Sequence, residues 1–286
     1  MASKFSYILY KFVILLDTAF FFLTKRRLRF YLYDYLREKY IKIKIDNKKV
    51  NFFSPSSLAQ WRVETFFSKE PETLKWIDSF ENNNKIIFWD IGANIGLYSI
   101  YAGVKKDNIQ VVAFEPSTQN LNLLSRNIAV NNLSERILIN QIALTDTPNK
   151  FMSFKESSFI EGGALNAFGV NYNFEGKKLK FINQYKIFGN SINFLLEKKI
   201  LDIPNYIKID VDGIEHLILR GAEDFLNNKN IKSILIELNE NFSEQYNEVH
   251  NILQNSDFKL TAKKHSKEID ISDDFKKTYN FIFERN

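Results

Sequence analysis

"KIIFWDIGANIGLYSIYAG", residues Lys85–Gly103, runs from an apolar, aromatic stretch through an acid into a turn with two glycines and an asparagine, then into a helical pattern. Strand, glycine turn and helix in that order open a βαβ unit, which binds ligands beyond the carboxyl end of its strand. The 286 residues include only 10 glycines, so Gly92 and Gly96 mark positions where the backbone needs their freedom. A phosphate, a dinucleotide and a sulfonium nucleoside are all candidates for such a turn. The neighbouring residues discriminate between them.

Outward from this unit, strand-like and helix-like segments alternate. "NIQVVAFEP" is a strand, "STQNLNLLSRNIAVNN" a helix opened by Ser117 as N-cap, and "RILINQIALTD" a strand. "NYIKIDVDG" and "IKSILIELNE" are strands on either side of the helical "IEHLILRGAEDFLNN"; "SEQYNEVHNILQNS" is a further helix, with "DFKLTAK" and "TYNFIFER" as last strands. Repeated alternation with apolar strands predicts a doubly wound α/β fold, a mostly parallel sheet covered on both faces. An acid stands at five expected strand ends: Asp90, Glu115, Asp146, Asp210 and Glu237.

The nicotinamide fingerprint G-x-G-x-x-G fails, because Asn94 and Leu97 stand where its second and third glycines belong. A phosphate-binding P-loop fails too, since no Gly-Lys-Ser/Thr follows. The pattern present is D-x-G-x-N-x-G (Asp90, Gly92, Asn94, Gly96), with Glu115 closing the next strand. S-adenosylmethionine carries a cationic amino group and a sulfonium, which an acid beside the turn suits, and ionised Glu115 can accept from both ribose hydroxyls. The bland alternative is a tight βα turn with Asp90 as a helix N-terminal acid.

"FWDIGANIGLYSIYA", "VVAFEPSTQNLNLLSRNIAVNNL", "IALTD", "IKIDVDGIEHLILRGAEDFL" and "ILIELNE" together resemble, in order and spacing, the FkbM family of methyltransferases. "FFSKEPETLKWID" and "SINFLLE" look like its flanking segments, so the resemblance covers roughly Trp61 to Glu240. It implies a class I, Rossmann-like fold with a seven-stranded sheet, S-adenosylmethionine as cofactor, and a hydroxyl on a sugar or polyketide-like acceptor as substrate. By position it also implies that Asp90, Gly92, Asn94 and Gly96 form the methionine-side loop and that Glu115 holds the ribose. Pro116 would shape the adenine side, with Ala143 and Asp146 near adenine.

Methyl transfer to a hydroxyl needs an aligned acceptor and a proton acceptor. Asp210 and Glu237, on neighbouring strand ends, are the expected general base; alternatively they only orient the loop through Lys208 or backbone amides. A divalent metal on Asp210, Glu237 and Asn239 is a sharper variant, an all-oxygen set suited to magnesium. His216, His250 and His265 show no ligand spacing. The Asn-Pro-Pro-Tyr type motif of amino-group methylation is absent from "KIDVDG". Residues 149–190 form a long insertion, read either as a lid and acceptor element or as a hairpin packed on the domain. In it, "EGGALN" (Glu161–Asn166) offers backbone groups to an acceptor, and Phe168, Tyr172 and Phe174 a sugar-stacking surface.

Charge and hydropathy set the amino-terminal part aside. Residues 1–50 hold 12 Lys/Arg and 4 Asp/Glu, although the chain's net charge is only +5. Such confinement argues against a nucleic-acid groove through the body and for contact with headgroups or an acidic partner. "FSYILYKFVILLDTAFFFL" (Phe5–Leu23) approaches the roughly 20 residues of a membrane span, with "TKRRLR" following. Lys11 and Asp17 would each cost on the order of 2.5–3.5 kcal/mol in a bilayer. Packing on the domain or in a homo-oligomer, peripheral membrane contact through residues 5–29, and a true span all remain open. The run makes a poor secretory signal, lacking a small-residue cleavage site. The absence of cysteine excludes disulfides and thiolate catalysis and fits the cytoplasm, with or without membrane association.

The expected organisation is an extension (1–50) that begins the hairpin "YIKIKIDNKKVNFFSP", a helical lead-in (51–84) broken at Pro71 and ending in "ENNNK", and the α/β domain (85–286). Two rivals to the methyltransferase reading remain: an NAD(P)-dependent oxidoreductase, which a thermal-shift comparison of cofactors tests, and a non-catalytic scaffold on the same fold.

Overall fold

The computed structural model describes residues 2–81, 85–265 and 275–285; the asparagine connection at 82–84 lies outside them. Two helices, α1 (Ala2–Thr24) and α2 (Leu28–Arg37), precede an antiparallel hairpin, β1 (Tyr40–Ile45) and β2 (Lys48–Phe53). Ile45 pairs with Lys48, so Asp46-Asn47 is the two-residue turn that the sequence predicts, and Asp46 has a φ of 51°. A lone hairpin is marginal in water. This one buries Phe52 and Phe53, roughly 1.5–3 kcal/mol each.

The lead-in is three short helices, α3 (Ser57–Glu64), α4 (Phe66–Lys69) and α5 (Pro71–Asp78). Pro71 opens α5, where its missing N–H costs nothing, and the break before it leaves Glu70 at the cap position. α5 is fixed to the domain by Trp76, whose ring nitrogen donates to Ser233 Oγ at 2.9 Å, and by Phe80, stacked on Tyr206 at 3.8 Å.

The domain follows as β3 (Ile86–Ile91), α6 (Leu97–Lys105), β4 (Ile109–Phe114), α7 (Thr118–Val130), β5 (Ile137–Asn140) and β6 (Ala143–Leu144). The insertion supplies β7 (Lys150–Glu156), β8 (Ala167–Phe168) and β9 (Asn183–Asn190). Then come α8 (Ile192–Glu197), β10 (Tyr206–Ile209), α9 (Glu215–Arg220), α10 (Glu223–Leu226), β11 (Ser233–Asn239), α11 (Ser243–Asn255), β12 (Phe258–Lys264) and β13 (Thr278–Arg285). The main sheet has the order β12-β13-β11-β10-β3-β4-β5, parallel except where β13 pairs with its two neighbours.

Strand periodicity divides the core. Phe88, Val111, Ala113 and Leu235 enter the layer shared with α5, α6 and α7, whereas Trp89, Val112, Ile207 and Ile234 enter the layer shared with α8, α9, α10 and α11. Chain order reverses between β10 and β3, so the crevice outside their carboxyl ends is the switch point of this sheet.

Two expectations need correction. "RILINQIALTD" is not one strand: β6 leaves the main sheet and pairs with β9, in a four-stranded sheet β6-β9-β7-β8 built from the insertion. "IEHLILRGAEDFLNN" is two helices: the first ends at Gly221, where a Cβ would lie 2.3 Å from the Thr145 carbonyl oxygen.

Candidate active site

The turn after β3 is set by backbone geometry. Gly92 has a φ of 86°, and a Cβ there would stand 1.9 Å from the Asp210 carbonyl oxygen. Gly92 and Ala93 donate their N–H groups to the Phe114 carbonyl at 3.0 and 2.9 Å, which curls the turn over β4. Asn94 (φ 52°) then donates its N–H to Glu115 Oε2 at 2.8 Å, while Ser117 N–H reaches Oε1 at 2.8 Å. Gly96, φ 90°, caps α6. Burial pushes the Glu115 carboxyl up to about 7, against the pull of those two amides.

This turn opens on a cavity of about 580 Å³, whose wall includes Gly92, Asn94, Glu115, Pro116, Ala143 and Asp210. Such a volume suits a small ligand. Asp90 lies beneath the wall rather than on it: it is 0% exposed and its Oδ2 accepts from Ser99 Oγ at 2.6 Å. Its Oδ1 has no hydrogen-bond partner among the described residues, and neither has Asn94 Oδ1. Burial raises the pKa of Asp90, with Lys208 opposing.

Across the switch point, Lys208 pairs in register with Asp90 and its Nζ lies 2.8 Å from Asp210 Oδ2. Asp210 and Glu237 are brought together as the spacing predicts, and Glu70 completes the group: one carboxylate oxygen from each lies within 4.8 Å of the others. Lys69 Nζ donates to Glu70 Oε1 at 2.8 Å, and Tyr98 hydrogen-bonds the same carboxylate. Burial disfavours the charge on Glu70, yet Lys69 and Lys208 outweigh it and hold the carboxyl at about 2. Glu237 goes the other way: burial, then Asp210 and Glu70, raise it well above the ordinary carboxylate range. Asp212 (φ 64°) is pushed up to about 6 by burial and then by Asp210.

The insertion covers the cleft, as a lid would. Its loop from Ser157 to Asn166 contributes Ser157, Ser158 and Gly163–Asn166 to the wall. The backbone groups of "EGGALN" are not free for an acceptor, however. The Glu161 carbonyl accepts from Ser56 Oγ (2.7 Å) and the Gly162 carbonyl from Arg62 Nε (2.6 Å). The Gly163 carbonyl accepts from both Asn94 Nδ2 (2.9 Å) and Asn120 Nδ2 (3.0 Å). Gly162 N–H donates to Asn120 Oδ1 and Leu165 N–H to Asp212 Oδ2.

Several predicted residues stand elsewhere. Asp146 follows β6 out of the main sheet and binds Arg220 (3.0 Å) and Thr147, away from the wall. Asn239 spends its amide on Thr278 Oγ1 (3.1 Å) and accepts from Asn241 N–H, so it does not join Asp210 and Glu237. Ser117 occupies the N-cap position of α7, but its hydroxyl donates to Glu156 instead of capping. Phe168 lines the cavity; Tyr172 packs on Phe242 and His216, and Phe174 stacks on the wall residue Phe275. His216 is buried beside Gln245 rather than on the wall, and burial lowers its basicity. Sequence reasoning missed Glu70, Lys69, Asn120 and Arg62; a lysine inside the apolar run "YIKID" was the one visible signal for Lys208.

Comparison with known proteins gives the family of the chain. A sequence profile of the methyltransferase FkbM domain matches residues 90–260. Methyltransferase 1 of Beauveria bassiana (strain ARSEF 2860) is 27% identical over 146 residues, 47% of this chain and 57% of that protein, so the chain spans little more than half of this relative. Similar solved structures include the precorrin-6y C5,15-methyltransferase of Geobacter metallireducens GS-15, at 13% identity and a TM-score of 0.44, covering 76% of this chain and 87% of that one. TrmK of M. capricolum, solved with S-adenosyl-homocysteine, aligns at 14% identity and a TM-score of 0.40, covering 74% and 67%. The sheet itself is seven-stranded, mostly parallel and doubly wound, the Rossmann-like architecture that the sequence predicts. The profile match takes in more than half of the sequence, and the chain belongs to the FkbM family of methyltransferases.

Proposed function

We propose that this methyltransferase uses S-adenosylmethionine and acts on a hydroxyl of a carbohydrate or glycan-linked acceptor, with Glu237 as the proton acceptor and Asp210 as its orienting partner. The observation that carries the reading is the raised Glu237 carboxyl on the cavity wall, beside two carboxylates that are each bonded to a lysine. A carboxylate with raised proton affinity is the group a weakly acidic hydroxyl needs.

The residues of the turn fit the cofactor. A Cβ at Gly92 would strike the Asp210 carbonyl beside the cavity, and the unpartnered Oδ1 of the wall residue Asn94 suits a cationic amino group. Glu115 keeps acceptor capacity for hydroxyls beyond its two amide bonds. Pro116 and Ala143 line the apolar remainder with Phe168. When bound, S-adenosylmethionine supplies a methyl group on a sulfonium, open to in-line attack. The chain's own work is to exclude water beneath the loop 157–166, align the acceptor, and take its proton on Glu237.

Glu70, Asp210 and Glu237 could be read as a divalent-cation site. Lys69 and Lys208 already supply positive charge to two of the three carboxylates, so we infer that the protein's own ammonium groups stand where a metal would. Titration calorimetry with S-adenosylmethionine, followed by mass spectrometry of glycans from cells with and without the gene, tests the reading. Saturable binding and a glycan that loses one methyl group in the deletion strain are expected; absence of binding overturns it.

A further inference from the structure

We propose that α1 and α2 form a bilayer anchor, with the apolar part of α1 inserted in the hydrocarbon and α2, packed on α1 at Asp17, at the boundary on the side of the catalytic domain. Ser3–Thr24 is long and apolar enough to cross a membrane by length and composition, and 6% of its apolar window is buried within the structure. At a rise of about 1.5 Å per residue this helix is about 33 Å long, and the part before Asp17 reaches about 21 Å into a hydrocarbon core of about 30 Å.

The exposed side chains form a surface wider than a narrow docking stripe. Phe12, Leu15, Phe20, Phe22 and Leu23 are all exposed and, at about 100° per residue, spread over close to half of the circumference, with Tyr7 and Tyr10 extending the surface further. A helix docking on a second copy or in a groove needs a stripe little wider than about 100°. Lipid covers at once the whole surface that α2 leaves open.

The charges are arranged for the same medium. Asp17, 1% exposed, is taken up by α2: its Oδ1 accepts from Arg29 N–H at 2.9 Å, and its Oδ2 lies 3.3 Å from Arg27 Nη1. Lys11 lies over the Tyr7 ring at 5.3 Å, on a stem long enough to reach toward the nearer interface. Lys25 and Arg26 follow the helix immediately, on the domain side, where anionic headgroups would meet them, while Arg27 and Arg29 pair with Asp17. Tyr31, Tyr33 and Tyr35 of α2 are exposed, the residue type enriched at the membrane–water boundary.

The anchor is joined to the cleft rather than tethered loosely. Arg37, the last residue of α2, lies 4.0 Å from Glu161 in the covering loop, and Glu38 pairs with Arg126 of α7 at 2.5 Å. The cleft therefore works close to the bilayer surface, which favours an acceptor carried by a lipid.

The full-length protein, reconstituted into vesicles of phosphatidylcholine and phosphatidylglycerol, is floated through a sucrose gradient and washed with alkaline carbonate. A variant carrying Phe12→Glu, Leu15→Glu and Phe22→Glu is run beside it, and the thermal shift caused by S-adenosylhomocysteine reports the cleft in both. The wild type should float and resist carbonate, while the variant stays at the bottom with the same ligand shift. A wild type left at the bottom, or recovered without detergent as a discrete dimer, overturns the anchor. Flotation without any ligand shift supports the anchor and counts against the cofactor reading alone.

Discussion

Lys208 and Asp210, two residues apart where β10 ends, form a 2.8 Å ion pair in which the lysine is 1% exposed. Burial alone would strip the ammonium of its proton, but Asp210, Asp90 and Glu70 outweigh it and raise the lysine above its ordinary value. One cation thus serves three carboxylates, and the charge balance of the cleft depends on it.

Lys208→Met should therefore be costly. It removes the counter-charge and leaves buried carboxylates unpaired, a loss of about 3–5 kcal/mol. Urea unfolding measures this directly. A change of under about 1 kcal/mol, typical of exposed pairs, would show that the pair is not structural.

Glu237→Gln should lower kcat by roughly 10²–10⁴-fold with cofactor affinity retained. Because Glu237 titrates well above the usual carboxylate range and must be ionised to accept a proton, wild-type kcat should climb as pH rises. The residual activity of the variant should lack that limb. A variant with an unchanged pH profile would move the base elsewhere.

Glu115 gives a second pH signature, in binding. Its carboxyl sits at about 7, and hydroxyl donors favour the ionised form, so ligand binding should release a proton and tighten as pH rises through about 7. The sign for the ligand-free fold is opposite: this raised acid contributes stability fully present below about 4.5 and lost as pH rises through about 7. Glu115→Gln should weaken cofactor binding by about 10–100-fold and flatten its pH dependence. Calorimetry in two buffers of different ionisation heat reads the proton.

Chelation should leave turnover unchanged, since Lys69 and Lys208 occupy the carboxylates a cation would need. Turnover lost on exhaustive dialysis against a chelator, and restored by magnesium, would reverse that assignment.

Gly92→Ala should abolish cofactor binding and cost at least about 1–3 kcal/mol, because the new methyl meets rigid backbone 1.9 Å away at a positive φ. Gly96→Ala shares the φ penalty but meets Leu124 Cδ1, the end of a flexible side chain, so its loss should be smaller. Paired unfolding curves and titrations separate the two.

The central βαβ unit was legible in the sequence because local chemistry determines it: Gly92, Asn94 and Gly96 all have positive φ, and Glu115 closes β4 as its position implied. Asp146 looked equivalent to the other strand-end acids, and nothing local reveals that β6 abandons the main sheet after Gln141. Asn239 lost its expected place to Thr278, which arrives from β13 far along the chain. Glu70 could not be found by spacing at all: it reaches Asp210 only because Trp76 and Phe80 clamp α5 onto the sheet. Long-range packing decides such positions, and a linear pattern does not carry it.

The loop over the cleft is gripped at Glu161, Gly162, Gly163 and Leu165 through its own main-chain atoms. Ser157 and Asn166 brace that frame from within through their side chains, whereas Ser158 and Ala164 reach the wall as interchangeable fittings on a fixed rail. Substrate range in this scaffold can drift, or be re-engineered, by swapping those fittings while the rail stays put.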